Sequence, residues 1–72
     1  MLRTEIEKVL NEQINVEASS SQFYLAMASW AETKGFEGVS SFFYNHSNEE
    51  REHMLKLIIY VNECTNQIKL TV

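Results

Sequence analysis

Proline is absent from this chain, glycine occurs twice and cysteine once. Without proline nothing forces a helix to break, and two glycines offer few places to turn, so long uninterrupted helices are expected. The lone Cys64 cannot close an internal disulfide, which suits a reducing compartment and makes the cytoplasm the expected location. A basic cluster is also missing. Six Lys and Arg are scattered among ten acidic residues, for a net charge of −4, which argues against nucleic acid or an anionic membrane as partner. No apolar run approaches the roughly 18 residues of a membrane helix, and residues 1–7 lack the apolar core of a signal peptide. With 72 residues the chain buries little surface by itself, and metal binding and oligomerisation are the stabilisers that remain.

What is present is helical periodicity. Thr4-Glu5-Ile6-Glu7 matches a capping box, in which the threonine hydroxyl and the glutamate three residues on satisfy each other's orphan backbone N–H groups. From it a stripe of apolar, small and a few polar residues runs through Ile6, Leu10, Gln13, Glu17, Ser20, Tyr24, Met27 and Ala31 in steps of three and four. A first helix is predicted over about residues 5–33. Lys34-Gly35-Phe36-Glu37-Gly38 holds both glycines and is the one strong turn signal. A second stripe follows through Phe42, His46, Glu50, His53, Leu57, Tyr60 and Cys64, predicting a helix over about 38–64. A turn this short makes the two helices antiparallel neighbours. The expected fold is therefore all-α, a helical hairpin over residues 1–66. Thr65-Asn66 should end the second helix, and the alternation of Ile68, Leu70 and Val72 with polar residues predicts an extended tail over 67–72. Two helices cover only half of each other's apolar face, so a four-helix bundle completed by dimerisation is the economical arrangement.

The informative residues are the polar ones on these stripes. An ionised carboxylate facing a core is costly unless it is paired or bound to metal. Glu50 and His53 stand one helical turn apart on one face, and an antiparallel hairpin brings Glu17 level with them. Carboxylate and imidazole donors converging in this way suit iron or manganese and tolerate zinc. Glu-x-x-His alone is a weak signal, more often found on a solvated surface helix; Glu17 at matching height reverses that balance toward metal. Tyr24 reads either as a core aromatic or as a redox-active neighbour of the metals. His46, Trp30, Phe36, Phe42, Phe43 and Tyr60 read as packing, Ser19-Ser20-Ser21 as small residues permitting close helix approach, and Cys64 as inert.

Nearly the whole chain resembles the non-haem bacterial ferritins, through residues 10–17, Ser20-Ser21, Tyr24-Leu25-Ala26-Met27, Trp30, Phe36-Glu37-Gly38, His46, Glu49-Glu50-Arg51-Glu52-His53-Met54 and Gln67-Ile68-Lys69-Leu70. The resemblance implies oxidation of ferrous iron by dioxygen or peroxide at a di-iron centre, and storage of the product inside a shell of four-helix subunits. By position, Glu17, Glu50 and His53 match the ligands of the first iron, with Glu50 as the bridge. Glu49 matches a ligand of a third iron, and Tyr24 the tyrosine of the site.

Family subunits continue into a third and a fourth helix that this sequence does not contain. Two copies of the hairpin would restore one Glu from each of two helices and Glu-x-x-His from each of the other two, the known ligand arrangement of ferritin-like di-iron proteins. A homodimer or higher homo-oligomer that oxidises iron is the leading expectation. The rival is a non-catalytic structural or partner-binding fragment that needs the missing helices from another chain.

Overall fold

The computed structural model describes residues 4–64, which form two α-helices, α1 (Thr4–Thr33) and α2 (Glu37–Cys64). Both helices match the predicted spans to within a residue. The expected tail over 67–72 and the break at Thr65-Asn66 lie outside the described residues.

Gly35 makes the turn. Its φ of +79° is in the left-handed region, where any side chain is strained. Gly35 N–H donates to the Glu32 carbonyl at 3.1 Å and Phe36 N–H to the Ala31 carbonyl at 3.0 Å, the paired bonds of a Schellman motif. Phe36 then packs on Trp30, ring centroids 6.1 Å apart, which is the apolar contact that accompanies this cap. Gly38 contributes nothing comparable, since it lies inside α2.

The helices run antiparallel along a seam of small residues. Ser21 and Ser47 bond reciprocally across it: Ser21 Oγ donates to the Ser47 carbonyl at 2.9 Å, and Ser47 Oγ to the Ser21 carbonyl at 2.8 Å. One heptad nearer the turn, Ser40 Oγ donates to the Ala28 carbonyl at 2.9 Å. Hydroxyls can reach the neighbouring backbone because nothing larger than serine or alanine stands between the helices at these levels. Ser21 thus takes the close-approach role expected of the serine run. Near the turn the Tyr44 hydroxyl donates to Glu32 Oε1 at 2.5 Å; that bond to a carboxylate is the main reason its ionisation is raised above the ordinary tyrosine value.

The buried line is therefore rotated from the stripes read off the sequence. Ile14, Ala28 and Ala31 on α1 and Ser40, Ser47 and Val61 on α2 are buried. Ile6, Phe42 and Tyr60, expected on the packed stripe, stay about half exposed, as do Val9, Val16, Phe23 and Trp30. The reason is steric: the seam selects the residues that let two backbones approach, and the bulkier apolar side chains are left on the flanks. Among the described residues only four apolar ones are buried, Ile14, Ala28, Ala31 and Val61, a small core for independent stability.

Candidate metal centre

Glu17 is carried by the middle third of α1, and Glu50 and His53 by α2. The pairings of Ser21 with Ser47 and of Ala28 with Ser40 place Glu50 level with Ala18 and His53 level with Asn15. All three donors thus share one height, on a flank of the hairpin beside the seam. One ligand atom of each lies within 4.8 Å of the others, with Glu17 and Glu50 half-buried and His53 exposed. Glu17 Oε1 stands 3.9 Å from His53 Nδ1.

The other oxygen of Glu17 is the unusual feature. Glu17 Oε2 is buried without a hydrogen-bond partner, alone in this among the described side chains. A desolvated carboxylate oxygen left unpaired is unfavourable by roughly 1–3 kcal/mol or more. A cation held between Glu17, Glu50 and His53 would satisfy it. Donors at about 2.1 Å from one ion stand up to about 4.2 Å apart, so small rotations of these flexible side chains suffice for closure. The donor set, two carboxylates and an imidazole, fits iron, manganese or zinc.

Glu49 is exposed and does not join the three-residue cluster. Tyr24, one heptad from Glu17, is half-buried in an aromatic group: its ring lies 5.9 Å from Phe43, 5.8 Å from Phe23 and, edge to face, 5.0 Å from His46. His46 is stacked on Phe42 at 4.7 Å, the packing role read from its sequence position. Sequence reasoning missed Ser40 and Ser47 as the partners of Ala28 and Ser21. Their spacing of one heptad, repeated on both helices, was the available signal.

Two long antiparallel helices thus bring two carboxylates and an imidazole together, a cluster that could hold a metal ion. Residues 7–71 match the family model described as the Ferritin-like domain. This chain belongs to the ferritin family. It is 41% identical over 70 residues to the bacterial non-heme ferritin of Campylobacter jejuni, covering 97% of this chain and 42% of that protein. It is 46% identical over 63 residues to a probable bacterial non-heme ferritin-like protein of Haemophilus influenzae, covering 88% and 38%. Among solved structures, Chlorobium tepidum ferritin superimposes on the whole chain with a TM-score of 0.87 and 36% identity, over 46% of its own length. The chain thus spans less than half the length of these relatives. Among the described residues no helix is long and apolar enough to cross a membrane.

Proposed function

We propose that this chain binds ferrous iron through Glu17, Glu50 and His53 and, as a homodimer, oxidises it for storage or detoxification in the cytoplasm. The observation that carries this reading is that Glu17, one oxygen of which is buried and unpartnered, stands with Glu50 and His53 so that one ligand atom of each lies within 4.8 Å of the others. Family membership supports iron as the cargo, since the names of the relatives are those of ferritins.

Iron is here a substrate. Two ferrous ions each give one electron to dioxygen, which takes up two protons and leaves as hydrogen peroxide; with peroxide as oxidant, the O–O bond breaks and water is the product. The protein's task is to hold two ions close together with open positions for the oxidant. In this reading Glu17 and His53 would supply terminal donors and Glu50 the bridging carboxylate. Glu49, exposed beside them, is assigned to a further outer ion. Tyr24 is assigned the catalytic role of a redox-active side chain, able to give one electron and its phenolic proton near the site. Manganese and zinc should bind as surrogates, zinc without turnover.

The test is an anaerobic ferrous titration followed by exposure to oxygen. About one iron per chain and oxidation well above the rate in buffer, in a dimer or larger assembly, are the expected results. The second reading, a non-catalytic fragment awaiting helices from another chain, is favoured by the coverage of only 38–42% of the curated relatives. Iron oxidised no faster than in buffer would select it.

A further inference from the structure

We propose that a second copy docks on the flank of α1 away from α2, antiparallel to it, with the two-fold axis at the level of Ala18. This inference rests on the homodimeric reading above and specifies the surface and register of that dimer. On α1, Val9, Val16, Phe23 and Trp30 recur every seven residues and are 61, 56, 60 and 51% exposed. Ile6, at 46%, and the half-buried Met27 flank them. Counted around the helix, this stripe stands about a third of a turn from the seam, and Glu17 and Tyr24 fall in the interval between the two. A helix packed on the stripe would therefore close the site from its open side.

The occupant follows from the symmetry of the stripe. An isologous interface must be self-complementary. Reversed about Ala18, Val9, Val16, Phe23 and Trp30 fall opposite the mates of Met27, Ser20, Gln13 and Ile6, and these eight residues recur along α1 in steps of three and four, so the line they form together maps onto itself. Large side chains fall opposite smaller ones, and serine lies next to the axis, where the helices approach. The flank of α2 obeys the same operation. Val39 and Tyr60, 47 and 49% exposed, exchange places about a point between Glu49 and Glu50. The cross-seam pairings put that point within a residue of Ala18. The α1 line and this pair on α2 thus share one centre.

That centre also lies at the metal site. Glu17, Glu50 and His53 are on average about one and a third residues from the level of Ala18, so two-fold symmetry sets the two trios ~4 Å apart along the bundle axis. Two-metal sites hold their ions about 3.5–4 Å apart. The broad side of the hairpin, 48 by 17 Å, offers roughly 800 Å² per chain, the area a standard interface buries on each partner.

Cysteine pairing tests the register. Val9→Cys and Met27→Cys are made separately, each with Cys64→Ser, and oxidised alone and as an equimolar mixture. In the proposed register only the mixture forms a covalent dimer, in about half of its chains or more, the statistical share of mixed pairs. Cross-linking of either variant with itself, as parallel docking demands, overturns the register, and so does a mixture that stays unlinked while sedimentation reports a dimer. A monomeric mass at every concentration, with ferrous iron present, overturns the docking altogether. Anaerobic iron binding by the uncross-linked chain is read alongside. Monomers that still bind iron through Glu17 leave the site reading standing; dimers that bind none sink it without touching the interface.

Discussion

Under the proposed ligation Glu17 should carry a different energetic sign with and without metal, and that makes it the most informative residue to change. In the metal-free protein its buried oxygen is unpartnered, so Glu17→Gln, which removes the charge at nearly constant shape, should leave the melting temperature unchanged or raise it. Adding zinc or anaerobic ferrous iron should reverse the order. At a hundredfold excess over the dissociation constant, a bound ion stabilises the parent chain by about 2.7 kcal/mol, and the variant should gain little. A variant stabilised by metal as strongly as the parent would remove Glu17 from the ligand set. Tyr24 calls for the complementary experiment. Tyr24→Phe keeps the ring among Phe43, Phe23 and His46 and loses only the hydroxyl. Iron stoichiometry should be preserved while oxidation slows several-fold, read by stopped-flow absorbance; an unchanged rate would return Tyr24 to a packing role. At Tyr44 the hydrogen bond to Glu32 raises the folded-state ionisation above that of the unfolded chain. Its contribution is therefore present below the ordinary tyrosine range and is lost as the phenol ionises above it.

The turn and the seam decide how the two helices meet. Gly35 can be tested directly. Space for a Cβ is open around it, so the effect of Gly35→Ala should come from the positive φ alone, a loss of about 1 kcal/mol in denaturant unfolding. A neutral result would mean the cap relaxes. At the seam, Ser47→Leu must force apart backbones that now exchange hydroxyl-to-carbonyl bonds at 2.8 and 2.9 Å, and overpacking of this kind typically destabilises by about 1–3 kcal/mol. Because Glu17 and Glu50 are held at one height by these contacts, the same variant should also weaken iron binding.

At the scale of the whole molecule, the hairpin leaves more apolar side chain outside than it buries. Val9, Val16, Phe23 and Trp30 on one face of α1 have no counterpart within the chain's described residues. A dimer-stabilised fold unfolds with a midpoint that rises with protein concentration, and thermal melts over a hundredfold range of concentration should display that rise. Val16→Glu places two carboxylates on the proposed interface near its axis. Its melting temperature should fall and lose its concentration dependence.

Much of this arrangement was legible in the sequence. The absence of proline and the placement of two glycines determined two long helices and a single turn, and the Glu-x-x-His spacing with Glu17 at matching distance singled out three residues that the fold brings together. These are local properties, set by backbone chemistry and helical period. The tertiary structure decided which face of each helix is the contact. Steps of three and four describe several overlapping stripes on these helices, and hydropathy favoured the bulky ones. The contact went instead to Ser21, Ala28, Ser40 and Ser47, whose small side chains allow close approach and whose hydroxyls are satisfied across the seam. That choice rotated Tyr60 and Phe42 outward, set Glu17, Glu50 and His53 on an open flank, and left one carboxylate oxygen buried without a partner. Periodicity alone does not distinguish a helix's faces when more than one of them is apolar; the closeness of packing that each face permits does.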